Sequence, residues 1–378
     1  MQFTAAQFLS ISVLASAAMV ARGENYSVTL VDIGPAQAPA VAMGINASGQ
    51  VTGFSAGPLM QAFVFRNGLG TSLGTLGGTL SLGYGINNAG AVAGYVWTSG
   101  GVDQGFVYSG GETTATASSD GDISLSAING SGEGAGVRYS PDGINGQAII
   151  FSDGSIQYIG TLPGAAGSFA NGINDLGQVV GHADFAPGYD HRAFLYANGV
   201  LTDLGTLGGP ISSATAINNA GQIAGFASTA AYAHRSPDGT GVGAPPIHAF
   251  LDSNDIMIDL GTLGGDDSEA YALNNLGQVV GYSEIIPGKY DQHAFLYFDG
   301  TMVDLNTLID PASGWVLEEA TGINNVGQIT GNGTLNGQPQ AFLLTPTSSG
   351  SSAIIPTPEP ATLILLTLSA PLLLKRRR

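Results

Sequence analysis

The 378-residue sequence contains no cysteine. That absence excludes a disulfide scaffold, a zinc-thiolate centre, an iron–sulfur cluster and a cysteine nucleophile. Charge is also scarce, at 10% of residues, and it is mostly acidic: ten Lys and Arg stand against 28 Asp and Glu, a formal net of −18. So few bases argue against nucleic acid as a partner, because phosphate binding needs clustered Lys and Arg. No stretch of the body shows an apolar period of 3.6 residues, which speaks against helices. What is plentiful is glycine, 58 residues, roughly twice ordinary usage. The apolar fraction of 44% is too high for a disordered chain.

The two ends read as addresses rather than fold. Residues 8–20 are apolar, small residues at Ala15-Ser16-Ala17 and Ser16-Ala17-Ala18 suit a signal peptidase, and Arg22 follows. Residues 1–22 are therefore expected to be a signal peptide, although residues 1–7 lack the usual Lys or Arg. An uncleaved first helix is the alternative. At the other end Pro358-Glu359-Pro360 precedes the uncharged run 361–374, and the chain stops at Lys375-Arg376-Arg377-Arg378. As a helix this run would span roughly 21 Å, short of the ~30 Å hydrocarbon core, and it contains Pro371. The basic cluster favours the cytoplasmic side and puts the body across the membrane. A plain tail anchor, or an apolar tail packed on the body, would give the same composition.

Pro-Glu-Pro, a short apolar helix and a basic terminus, in that order, resemble the PEP-CTERM sorting signal over 356–378. The resemblance implies an exosortase as partner and a Gram-negative host that makes exopolysaccharide. It implies a protein exported to the cell surface or beyond, held transiently in the inner membrane by residues 358–378 after a linker at 347–357. Between 23 and 357 the only bases are Arg66, Arg138, Arg192, Arg235 and Lys289, against 27 acids, so the body carries about −22. Such a body is unsuited to lying on anionic lipid. Membrane contact is expected through the C-terminal segment alone.

Repeats dominate the body. Ile-Asn-x-x-Gly-Gln-Val-x-Gly recurs with variation from Ile45, Ile86, Ile128, Ile173, Ile217, Leu273 and Ile323. Gln/His-Ala-Phe-Leu-Tyr-x-x-Gly recurs in the same phase at 61–68, 104–111, 147–154, 192–199, 248–255, 293–300 and 340–347. Leu-Gly-Thr-Leu-Gly-Gly is clear at 73–78, 204–209 and 260–265 and degraded elsewhere. Each of the seven units reads as four short strands, in the sixth 257–263, 270–274, 278–283 and 293–298. Asn-Asn-x-Gly and Asp-Gly or Asn-Gly supply the tight turns between them. Four-strand units of 40–50 residues predict an all-β protein, a seven-bladed β-propeller over 26–346; a right-handed β-solenoid is the alternative. The paired glycines are expected where blades converge.

These motifs resemble the extracellular HAF repeat family over residues 28–346, with His248-Ala249-Phe250-Leu251 and His293-Ala294-Phe295-Leu296 carrying the full signature. The resemblance implies an exported repeat protein and assigns no activity.

Chemistry is thinly signposted. Gln or Arg replaces His248 and His293 in other units, so a strand-edge hydrogen bond explains them better than metal binding. His182, His191 and His234 read as loop residues without a partner at ligand spacing, and no metal or cofactor is expected. Gly53-Phe54-Ser55-Ala56-Gly57 has the spelling of a nucleophile elbow but no following helix. Asp32, Asp203, Asp259 and Asp304 recur in the first strand of four units. In a closed ring they would either encircle the axis or bracket turns, and turn bracketing is preferred. Asp266-Asp267-Ser268-Glu269 reads as an exposed acidic cluster without calcium-loop spacing. No catalytic constellation emerges, so an enzyme is not expected.

One irregularity points to binding. The connection between the third and fourth strands lengthens in units four, five and six, at 183–190, 227–247 and 284–292. Tyr189 and Asp190, Tyr232 and His234, and Tyr290 and Asp291 sit there, and rings beside carboxylates suit sugars. Loop drift is the plainer account. These residues predict a structural component of the extracellular biofilm matrix, binding exopolysaccharide or surface proteins. A polysaccharide hydrolase or lyase working through loop carboxylates is the alternative.

Overall fold

The computed structural model describes residues 26–34, 39–57, 59–116, 121–140, 145–185, 190–229 and 245–347. The expected signal peptide, most of the linker, and the sorting segment lie outside them. The described residues form seven four-stranded antiparallel sheets closed into a β-propeller. No helix among them is long and apolar enough to cross a membrane.

Blade 6 shows the pattern: Ser268–Leu273 is innermost, then Val279–Glu284 and Gln292–Phe298, with Thr301–Asp304 outermost. The sequence units are therefore out of phase with the blades by one strand. The strand that opens each sequence unit, such as Met257–Asp259, is the outermost strand of the preceding blade. Consequently Tyr26–Leu30 forms the outer edge of blade 7, paired from Tyr26↔Pro346 to Leu30↔Phe342. The N-terminal strand thus closes the ring with a piece of chain from its beginning.

The recurring strings are explained by the joints between blades. Each inner strand ends at an asparagine that is almost fully buried, and its Nδ2 donates to the backbone carbonyl of the same asparagine in the next blade. The links run Asn46→Asn87→Asn129→Asn174→Asn218→Asn274→Asn324 and back to Asn46, at 2.9–3.2 Å. The cycle is complete. Each Oδ1 meanwhile accepts the N–H groups two and four residues on, as in Asn274 with Leu276 and Gln278. The following Gln or Glu takes the second Nδ2 proton in six blades, and Ala91 stands in its place in blade 2. A side chain with two donors and two lone pairs is what this position requires.

The final glycine of the string is a packing requirement. Every inner strand bulges at the same place, as between Ala270 and Ala272, and this brings a carbonyl against the second strand. A Cβ at Gly53, Gly94, Gly136, Gly181, Gly225, Gly281 or Gly331 would run into the opposing carbonyl oxygen, that of Glu269 in the case of Gly281. Beside six of these glycines lies a phenylalanine with no exposed surface, Phe63, Phe106, Phe194, Phe250, Phe295 or Phe342; Ile149 fills the place in blade 3. These side chains form the core between blades, which is divided into clusters around the ring.

Serines at the head of four inner strands complete the joints. Ser268 Oγ accepts from Ala249 N at 2.9 Å and donates to Gly261 O at 2.6 Å, and Ser81, Ser168 and Ser212 repeat the arrangement. The paired glycines sit here rather than at the axis: a Cβ at Gly265 would strike Glu284, where the outer strand crosses to the next blade. The four aspartates are on or beside outer strands, far from any axial ring. Each accepts the N–H two residues on, Asp259 Oδ1 from Gly261 N at 2.8 Å, and brackets a turn as preferred.

Candidate functional site

Chain direction gives the ring two distinct faces. Inner strands run toward the asparagine cycle, so the tight turns after the first and third strands share that asparagine face. The connections between second and third strands, and those between blades, lie on the opposite face. The axial recess at the asparagine end, about 180 Å³, is lined by the seven aliphatic residues and asparagines of the cycle together with the residues that follow them. The aliphatic side chains are almost buried and the asparagine protons are spent on the cycle, so this end serves closure.

The other end of the axis is where the repeats diverge. The bulge residue of each inner strand is half-buried in all seven blades: Met43, Tyr84, Ser126, Asn171, Thr215, Tyr271 and Thr321; Asn171, Thr215 and Thr321 donate to the backbone of the next blade's inner strand. Two residues earlier come Val41, Leu82, Ser124, Phe169, Ser213, Glu269 and Glu319. Beside these, on the second strands, lie Phe54, Tyr95, Val137, His182, Phe226, Tyr282 and Asn332. Positions that hold the scaffold are nearly constant from blade to blade. These are not, and Leu82, Val137 and Ser213 among them are buried.

Two polar groups stand out. In blades 6 and 7, Glu269 accepts hydrogen bonds from the hydroxyls of Tyr271 and Tyr282, whose rings lie 5.7 Å apart. Glu319 is close enough to repel Glu269, and its Oε1 accepts from Asn332 Nδ2 at 2.9 Å. Burial first, then the neighbouring acids Asp267 and Glu319, raise the Glu269 carboxyl above the usual range, against the two tyrosine hydrogen bonds. Burial also pushes the Tyr271 and Tyr282 hydroxyls up, with Glu269 adding to it.

On blades 2 to 5 this end of the joints is mostly aromatic. Tyr84 and Tyr95 are 5.9 Å apart, Tyr139 meets Phe169 at 6.2 Å, Phe169 stacks on His182 at 4.9 Å, and His191 meets Phe226 edge-on at 6.3 Å. Beside the tyrosines Asp103 and Asp122 approach one another, and Asp103 Oδ1 is buried without a hydrogen bond. Desolvation, then Asp122, raise Asp103 to about 6.

Several sequence expectations change here. His182 and His191 are not loop residues. They face each other on adjacent strands, Val179–Phe185 and Asp190–Ala197, with rings 5.3 Å apart. Desolvation, then His191, lower His182 to about 4, and no group of three potential ligands that could hold a metal occurs among the described residues. The acidic string at 266–269 is not a solvated cluster. Only Asp266 is exposed, while Ser268 is buried and Glu269 is half-buried beside Tyr271, Tyr282 and Glu319. Ser55 is buried in a strand and hydrogen-bonded, unlike a nucleophile. His248 Nδ1 and His293 Nδ1 meet Asp259 and Asp304 at 2.9 and 2.7 Å, and Arg192 approaches Asp203 at 3.5 Å. The signature histidines therefore tie third strands to outer ones.

The long connections join second to third strands and do share the face where the axial residues open. Asp190 begins the third strand of blade 4 and pairs with Phe185. Tyr290 is 98% exposed, and Asp291 accepts Ile285 N through its carbonyl at 2.9 Å. Tyr189, Tyr232 and His234 lie outside the described residues. Sequence reading singled out these loop tips and missed Glu269, Tyr271, Tyr282 and Glu319. The signal that could have found them is the contrast between constant and variable positions within aligned repeats.

His182 and Asp103 give opposite pH dependences. Because His182 is lowered from 6.5, its contribution is fully present above pH 6.5 and is lost as pH falls toward 4. Because Asp103 is raised from 3.8, its contribution is present below pH 3.8 and is lost as pH rises through 6. Asp103→Asn removes one of the two opposing slopes. Its unfolding free energy, from urea melts between pH 4 and 6.5, is expected to rise more steeply with pH than that of wild type. Equal slopes would dismiss the assignment.

No protein-family model matches this sequence, and no curated protein matches it. Among solved structures, the chain is similar to a gluconolactonase from Xanthomonas campestris, at 10% identity and TM-score 0.39, covering 88% of this chain and 93% of the other. It is similar to YCF48 bound to D1 peptide, at 10% identity and TM-score 0.45, covering 85% and 97%. It is also similar to an acylaminoacyl peptidase from Pyrococcus horikoshii, at 11% identity and TM-score 0.43, covering 80% and 51%. No activity is carried over from any of them. The chain is a seven-bladed propeller.

Proposed function

We propose that this propeller is an exported, surface-sorted binding protein of the extracellular matrix, taking a polyhydroxylated ligand at the axial mouth opposite the asparagine cycle. One observation carries the reading: scaffold positions repeat around the ring, while axis-facing positions diverge into aromatic rings and carboxylates. Rings such as Phe226, Tyr95 and Tyr282 offer flat faces to the C–H surfaces of a sugar. Glu269 and Glu319 offer carboxylate acceptors to its hydroxyls. Among the named lining residues the charges are nearly all acidic, so the ligand class is a neutral or amino-bearing polysaccharide rather than a uronate or sulfate. The connection of blade 6 that carries Tyr290 and Asp291 lies on the same face. Export and sorting rest on the end segments of the sequence.

The test follows retention of the protein on neutral polysaccharide from the host, together with new reducing ends, in one tube. Retention without new ends is expected, with Tyr282→Ala and Glu269→Gln each weakening it about tenfold or more, equivalent to roughly 1.4 kcal/mol. Unchanged retention in both variants would remove the axial mouth as the site. Two carboxylates near one axis, one raised in pKa, also fit a glycoside hydrolase. New reducing ends that vanish in Glu269→Gln would decide for that reading.

A further inference from the structure

Both ends of the described chain leave the ring on the asparagine face. Tyr26 pairs with Pro346, and the turn of blade 7 lies at the same end. Gln328 Nε2 donates to Thr345 Oγ1 at 3.4 Å, and a Cβ at Gly327 would sit 3.4 Å from the Pro346 ring. On this face uncovered aliphatic side chains stand at the inner turns of three blades, where Leu176 is 71% exposed, Leu276 47% and Val326 64%, and at the outer turns of three, Leu69, Val200 and Ile256. The equivalent inner tips elsewhere are Ser48, Ala89, Ser131 and Ala220. The apolar inner tips fall on blades 4, 6 and 7, the outer ones on blades 1, 4 and 5, and the inner tip of blade 7 lies beside the point where the chain departs.

Reach adds a second constraint. The thirteen residues 348–360 between the ring and the apolar run 361–374 can span at most about 44 Å. Turning the opposite face toward an anchor would take them back up the height of blade 7. The nine-residue strand Gln338–Pro346 makes that height about 30 Å, leaving about 14 Å to clear the rim. With the asparagine face inward, the whole reach is available.

We propose that the asparagine face is the membrane-proximal surface of this protein, with Leu176, Leu276 and Val326 against a bilayer and the axial mouth directed away from it. This rests on reading residues 358–378 as an anchor. The bilayer it fits has electrically neutral headgroups, because the same face carries the exposed carboxylates of Asp153, Asp175, Asp255 and Asp299, which repel anionic lipid. The orientation would hold the mouth open to large extracellular polymers while the chain remains attached.

A chain without cysteine allows single labels. Leu276→Cys, Val326→Cys and Tyr290→Cys, each in the full chain and each carrying a fluorophore, are bound to phosphatidylcholine vesicles with nitroxide-labelled headgroups. Quenching at positions 276 and 326 is expected to be at least about threefold that at 290. Equal quenching, or stronger quenching at 290, would overturn the orientation. Flotation tests the anchor separately: the full chain should float with the vesicles, and a chain ending at residue 357 should not. If the full chain stays in solution, the anchor reading fails and the orientation falls with it.

Discussion

Deleting residues 26–34 is expected to lower the thermal midpoint of the folded protein by about 10 °C. The segment supplies the outer strand of blade 7, and Tyr26, Val31 and Ile33 are 3%, 1% and 8% exposed. Burying three side chains of this size contributes about 1.5–3 kcal/mol each, and the backbone bonds to Gln338–Pro346 are lost as well. For a domain of this size one kcal/mol moves the midpoint by roughly 2 °C. A rearranged chain that places residues 26–34 after Pro346 should recover most of the loss. Tyr26 lies opposite Pro346, so the two strands can continue as a hairpin. Calorimetry of the three proteins is the measurement. An unchanged midpoint in the deletion would show that blade 7 does not need its borrowed strand.

Phe295→Ala is expected to cost 3–5 kcal/mol, the usual range for a fully buried phenylalanine. Phe295 has no exposed surface and packs with Leu273, Val279 and Ala270 between blades. The cavity has little means of collapsing, because Gly281 beside it is pressed against the carbonyl of Glu269 and offers no side chain to move in. Phe298→Ala, three residues on at a half-buried position, is the control and should cost far less. Urea unfolding of both variants separates them. Similar losses would mean that the core between blades tolerates voids better than its packing implies.

Much of this fold is legible in the sequence because the joints are chemical and repeat. Asparagine and glycine recur at fixed spacing since a buried amide must bond the next blade and a bulge leaves no room for a Cβ. The phase of the blades was not legible. A strand joined in sequence to one unit completes the sheet of its neighbour, and spacing alone gives both assignments the same period. The site was the least legible part. Glu269 sits in a run of acids that reads as solvated, and only the fold brings its side chain beside Tyr271, Tyr282 and Glu319. His182 and His191, nine residues apart, read as unrelated until a hairpin brings their rings together. Repetition marks what holds the ring, so residues that serve a ligand are found among those that break it.

The asparagine cycle also bears on how such a protein can change over time. Each blade donates a hydrogen bond to the next through the same atoms, and the seventh donates one to the first. The scaffold therefore does not record the order in which the blades are strung. Exchanging blade 6 for blade 4 would leave every link in place, yet it would carry Glu269, Tyr271 and Tyr282 to new neighbours. Recognition in this chain can thus be reshuffled by duplication and exchange of whole blades with the asparagine links kept, while single substitutions refine each arrangement.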